Sequence, residues 1–301
     1  MKLNRRLTYI VPIIAALGAA AWFFTSRSFS AGETTISALG KESHFHGIAV
    51  DPSDGSRLFL ATHHGFYVVT PDGIARQLSA SRDDFMGFMP HPTDPSVLYA
   101  SGHPAGGGNL GFLSSIDGGR TWNKLSNGIN GPVDFHQMDV SKADPRVIYG
   151  IHGDLQKSAD GGRTWTRVGP APEGTITIAA SSNAPEAVYA GTQRGLLVST
   201  DSGWHWKLAH RSQRAATMVY ATANHVVYAF IVGTGLIRAK EPSLDWQAVN
   251  NGFGRAVVLH LTMGAREGGA LYAVTFDPET RAQSLLASRD DGQTWTRLGD
   301  K

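Results

Sequence analysis

An eight-residue phrase written four times restricts what this chain can fold into more than any other feature. Residues 115–122 read SIDGGRTW, 158–165 SADGGRTW, 199–206 STDSGWHW and 288–295 SRDDGQTW. A fifth stretch, AKEPSLDW at 239–246, keeps only the closing tryptophan in place. Trp122, Trp165, Trp206, Trp246 and Trp295 follow one another at intervals of 43, 41, 40 and 49 residues. A period of this length marks a chain that repeats one supersecondary unit.

The text around the phrase repeats as well. Upstream come a short apolar run, a polar turn and a second run ending in an aromatic and a small residue. FMPHPTDPSVLYAS (88–101), MDVSKADPRVIYGI (138–151) and IAASSNAPEAVYAG (178–191) are examples. A third run leads into the phrase, and a fourth starts at its tryptophan. The turns carry Asp-Pro, Asp-Gly or Asn, as strand connections do. Helical periodicity is absent after residue 26. The expected fold is an all-β, six-bladed β-propeller of four-stranded antiparallel blades, whose radial closure leaves only short protected edges. The blades fall at 45–80, 84–127, 132–170, 174–210, 214–250 and 255–300. Blade 1 carries TPDGIARQL (70–78) in place of the phrase, and residues 31–44 are too few for a seventh blade.

Each residue type in the phrase has a turn-forming role. The aspartates Asp117, Asp160, Asp201 and Asp290 accept hydrogen bonds from backbone N–H groups of the turn. Ser115, Ser158, Ser199 and Ser288 are expected to do the same more weakly. Gly119, Gly162, Gly203 and Gly292 supply a positive φ. Trp122, Trp165, Trp206 and Trp295 open the fourth strand and pack against neighbouring sheets. The phrase resembles the Asp-box, or BNR repeat, over residues 45–300. That repeat is known in the propellers of sialidases, sortilin's lumenal domain, xyloglucan-cleaving glycosidases and a photosystem assembly factor. The resemblance implies a structural turn remote from the binding face, and so speaks to fold rather than activity. A sialidase is disfavoured, since the Arg-Ile-Pro stretch before the first blade is missing and arginine is sparse in the loops that would form its arginine triad.

The N-terminus reads as a targeting segment. Lys2, Arg5 and Arg6 precede an uncharged run from Leu7 to Ser26. Twenty residues span about 30 Å as a helix, the thickness of a hydrocarbon core. The leading positive charges place that side in the cytoplasm. Residues 1–26 are therefore expected as a transmembrane signal anchor, 27–42 as a polar tether, and 43–301 as the propeller on the extracytoplasmic side, periplasmic or extracellular. The rival reading is a signal peptide cut within 28–33.

The remaining composition narrows the partners. A net charge of +2 with no basic stripe gives no footprint for nucleic acid, and zero cysteines exclude disulfides and thiolate metal sites. The chain is expected to be a monomer whose ligand is a small molecule, a metal or an envelope protein.

Histidines supply the site. His46, Met86 and His136 stand at corresponding places at the start of the first strand in blades 1, 2 and 3. His63 (with His64 beside it), His103 and His152 fall in the second-to-third loops of the same blades. Ile176 and Gln193 in blade 4, and Thr217 and Val232 in blade 5, hold the equivalent places, and blade 6 offers His260. The propeller topology gathers these on one face, whereas His91, His205 and His225 belong to turns of the opposite face. Imidazole is the commonest metal ligand, and a thioether adds softness. His46, His63, His103, His136 and His152 are therefore a candidate copper or zinc site. Asp84, Asp134 and Asp154 are the candidate carboxylates if the chain is instead a glycoside hydrolase-like enzyme, which needs two. A sortilin-like or assembly-factor-like docking platform is the third alternative.

Overall fold

The computed structural model describes residues 32–264 and 269–300. The anchor expected over 1–26 and the alternative cleavage site lie outside the described residues. No helix among the described residues is long and apolar enough to cross a membrane. The described chain forms six antiparallel sheets, five of them four-stranded and the first extended by one more strand. The first strands are Phe45–Val50, Asp84–Pro90, Gln137–Val140, Thr175–Ala180, Ala216–Ala221 and Val257–Met263. Each of them touches the next, and the last returns to the first, so the six sheets close into a ring. The expected six-bladed all-β propeller is what the chain forms.

The tether reading is corrected where it can be seen. Glu33–Thr35 is a strand, paired antiparallel with Ile74–Gln77 on the outer edge of blade 1. Ile36–Glu42 is a short helix, capped by Thr35, whose Oγ1 accepts from the Ala38 N–H at 3.1 Å. Ile36 and Leu39 share one helix face and are buried with Phe45 and Leu60 of blade 1 and Val274 and Leu285 of blade 6. Phe45 N–H donates to Gln283 Oε1 at 2.6 Å across the same seam. This helix therefore covers the junction between the first and last blades, where no covalent connection holds the ring.

The repeated phrase organises each turn around its serine. In the second copy Ser158 Oγ donates to Asp160 Oδ1 at 2.8 Å and accepts from Gly162 N–H at 2.8 Å. Thr164 donates twice to Asp160, from N–H to Oδ1 at 2.9 Å and from Oγ1 to Oδ2 at 2.6 Å. The same serine bonds recur in the other three copies. The serine is thus no weak auxiliary, because it is a buried hub that orients the carboxylate and closes the turn. The hydroxyl of Thr164 and the turn's N–H groups hold the Asp160 carboxyl down at about 2, and Thr294 does the same for Asp290.

The glycine has a second duty. Gly162 lies at φ +85, and a Cβ there would stand 2.1 Å from the Phe112 ring, which belongs to the third strand of the preceding blade. Gly119 meets Phe66 at 2.2 Å and Gly203 meets Leu155 at 2.3 Å in the same way. The phrase therefore seats each blade against the one before it. The tryptophans complete the seam, with Trp165 5.3 Å from Phe112 and 4.7 Å from Phe135, ring centre to ring centre.

This gives a comparison within one turn. Gly161 is also left-handed, at φ +72, but a Cβ there meets only the end of Arg163 at 3.5 Å. Gly161→Ala should cost about 1–2 kcal/mol of backbone strain. Gly162→Ala should cost about 2–5 kcal/mol, because overpacking against Phe112 is added. Denaturant midpoints of the two variants measure the difference, and equal costs would show that the turn does not set blade contact.

Candidate functional site

First strands begin at one end of the ring, and second-to-third connections return to that end. His46, His63, His64, Met86, His103, His136 and His152 accordingly share it. His91, His205 and His225 stand at the other end, each with a local partner: the Asp94 N–H, the Asp201 carboxylate and the Ser182 hydroxyl.

Three short stretches build the mouth: His44-Phe45-His46, Asp84-Phe85-Met86 and Asp134-Phe135-His136. The phenylalanines are buried, at 2%, 0% and 0% exposure, and strand alternation turns their neighbours away from them. Phe45 and Phe135 are tied by their N–H groups to the preceding blade, through Gln283 and Ser101 Oγ. In blade 1 Phe45 pairs with Thr62 and Gly47 with Ala61, so His46 is the extra residue of a β-bulge. A bulge re-aims its side chain. Ile176 and Thr217 hold the same bulge place in blades 4 and 5, as expected. In blade 6 that place belongs to Leu259, not to His260.

The site residues meet in two groups, each astride a seam between blades. His46 and His63 of blade 1 meet Asp84 of blade 2; His103 of blade 2 meets Asp134 and His136 of blade 3. Within each group one donor atom from every residue lies within 4.8 Å of the other two. His63 Nδ1 is 2.5 Å from Asp84 Oδ2, and His46 Nε2 faces Asp84 Oδ1 at 3.5 Å. In the second group His103 Nε2 and His136 Nε2 approach the same oxygen, Asp134 Oδ2, at 2.8 and 2.5 Å.

Their hydrogen bonding is incomplete. Four buried side-chain nitrogen or oxygen atoms lack a hydrogen-bond partner among the described residues, and three of them are here: His46 Nε2, Asp84 Oδ1 and Asp134 Oδ1. Such atoms are rare because burying them without a partner is costly. His103 Nδ1 lies 2.8 Å from Gly108 O, an acceptor, so that nitrogen carries a hydrogen.

Burial and then the neighbouring imidazoles push the His46 ring down to about 2, so it is neutral. The hydrogen bond to Asp134 raises His136 above its ordinary 6.5. Burial lowers His260 to about 4, and its Nε2 bonds Phe45 O at 3.1 Å. His46, His136 and His260 also line the upper part of a central channel of about 890 Å³, which runs down to the first-to-second turns 51–56 and 90–93.

Several expected members fall outside the two groups. His152 Nδ1 lies against the backbone of Asp134, 3.1 Å from its carbonyl oxygen. His64 approaches His63 only ring to ring, with centres 6.2 Å apart. Met86 is buried in the blade. Asp154 is bonded to Arg167 and lines a separate small pocket with His152 and Gln156. Asp84 and Asp134, proposed above as hydrolytic carboxylates, turn out to be the partners of the histidines. Each stands two residues before the Met or His of its blade, on the far side of a phenylalanine that blades 1, 2 and 3 share.

No family model and no curated protein matches the sequence. In three dimensions the chain is similar to a GH74 xyloglucanase from Xanthomonas campestris, at 18% identity and a TM-score of 0.57, over 88% of this chain and 46% of that one. It thus spans about half the length of that enzyme. It is similar to YCF48 from Cyanidioschyzon merolae at 16% identity and a TM-score of 0.51, over 90% and 89% of the two chains. An ancestral GH74 enzyme matches at 13% identity and a TM-score of 0.53, over 84% and 38%. At such identities the likeness is one of fold.

The imidazoles of His46 and His136 should separate on titration of the metal-free protein. His136 should protonate above pH 6.5, and its contribution to stability, present below that value, should fade as pH rises through its raised one. His46 should stay neutral throughout the range in which the fold holds. Imidazole 15N shifts report both, and a His46 that titrates near 6.5 would contradict its enclosure.

Proposed function

We propose that this chain is an extracytoplasmic, membrane-tethered propeller that binds a divalent transition metal, zinc or copper, at the mouth of its ring. The arrangement at Asp134 carries the reading. Its carboxylate is buried, at 4% exposure, one oxygen has no partner, and the other faces two imidazole nitrogens. One of those imidazoles already commits its other nitrogen to a backbone carbonyl. A backbone carbonyl that holds Nδ1–H and leaves Nε2 to face an ion is the way metal-bound histidines are oriented. A cation among the three would give the orphan oxygen a ligand. Two nitrogens and one oxygen suit zinc or cupric copper, and three protein donors leave a position open for water or a further ligand.

A hydrolytic role for Asp134 is less well supported. A general acid must reach a substrate oxygen, and this carboxylate is sealed beneath His103 and His136. Asp154 is likewise engaged by Arg167.

The full chain, purified in detergent, should carry zinc or copper by elemental analysis. Zinc at about a hundred times its dissociation constant should stabilise it by about 2.7 kcal/mol, a rise in Tm of about 5–10 °C. Asp134→Asn should lower that rise. Protein that carries neither metal and gains no stability from either would overturn the proposal.

A further inference from the structure

We infer that the mouth takes two divalent metal ions per chain, one in His46–His63–Asp84 and one in His103–Asp134–His136, at neighbouring but separate positions of unequal exposure. This rests on the metal-binding reading above and adds the number of ions, their ligands and their accessibility.

The donor sets are disjoint. Asp84 turns both its oxygens toward His63 and His46, and Asp134 gives one oxygen to His103 and His136 together. No residue belongs to both groups. A single shared ion would need bonds of about 2 Å to donors on both seams. The donors of each group already meet one another across a different seam. The two groups nevertheless share a rung of blade 2, where Asp84 and His103 are direct partners across the first two strands. Facing residues in an antiparallel pair lie about 5 Å apart at Cα, so the centres are neighbours.

The orphan atoms follow the same division. His46 Nε2 and Asp84 Oδ1 belong to the first group, Asp134 Oδ1 to the second. Each group therefore has its own unmet polar demand, and filling one leaves the other unmet. The exposures differ too. In the first group the His46 and Asp84 side chains are 15% and 16% exposed, and His63 40%. In the second, Asp134 is sealed at 4%, while His103 and His136 are open at 39% and 60%. An ion held by His136 faces solvent and exchanges readily; one held by the bulge residue His46 lies further in, beside the channel.

The test is zinc stoichiometry on the full chain, by equilibrium dialysis with elemental analysis, with circular dichroism confirming the fold. The wild type should bind close to two zinc ions. His136→Ala and His46→Ala should each bind close to one, and the double variant none. His152→Ala should still bind two. Asp84→Asn, nearly isosteric, replaces His46→Ala if that variant fails to fold. In a competition with a coloured chelator, the ion remaining in His46→Ala should leave several-fold faster than the one remaining in His136→Ala. A wild type that binds one ion, with both single variants binding none, would establish a shared centre and overturn this inference while leaving the metal reading intact. A wild type that binds none would remove both.

Discussion

The missing side chain of one glycine in each of three successive blades governs the molecule. Gly119, Gly162 and Gly203 leave a space that Phe66, Phe112 and Leu155 of the preceding blade fill. That contact holds neighbouring sheets at a fixed distance and angle, and the distance and angle decide what meets at the mouth. Asp84 reaches His63, and Asp134 reaches His103, only because blade follows blade at this spacing. A turn at one end of the ring thus sets the geometry of donors at the other, through a dry seam of aromatic rings that transmits position because packed interiors do not yield. The fourth copy is looser, with Gly292 no closer than 3.1 Å to Val249, and it seats blade 6 against blade 5, a seam that carries none of these histidines.

The mouth is built by alternation and interrupted by bulges. A buried phenylalanine pins each of three entering strands, and the residues on either side of it are forced outward. Because Phe45 and Phe135 are also bonded through their backbones to the preceding blade, their polar neighbours have little freedom. Preorganisation of this kind is what a metal site needs, since ligands already in place lose little entropy on binding. The bulge at His46 adds one more turn of direction, aiming Nε2 at Asp84 and the channel instead of along the sheet.

The repeat, the blade count and the correspondence of His46, Met86 and His136 were legible because they rest on local chemistry. A serine, an aspartate and a glycine in fixed order close a turn wherever they occur, and a repeat carries that order from blade to blade. The pairing of each histidine group with a carboxylate of the adjacent blade was not legible in the same way. It depends on contacts across a seam, between positions such as His63 and Asp84 that no periodicity links. The strand at Glu33–Thr35 escaped notice because three polar residues on an outer edge carry no apolar alternation. The helix after it did leave a trace in Thr35 as cap and in the spacing of Ile36 and Leu39, but seven residues are too few for a period to declare itself.

Gathering the histidines on one face does not by itself decide which of them meet. Metal–nitrogen bonds are about 2 Å, so donors to one ion must lie within about 4 Å of each other. A central channel of about 890 Å³ keeps most first strands farther apart than that. Only side chains facing each other across a seam approach closely enough. This explains why the donors occupy blades 1, 2 and 3 while Ile176, Thr217 and Leu259 fill the same bulge in blades 4, 5 and 6. A ring of six equivalent histidines would leave its axis too wide to coordinate anything. Three adjacent blades carrying His and Asp in offset rows make two seams, and each seam brings two imidazoles and a carboxylate together.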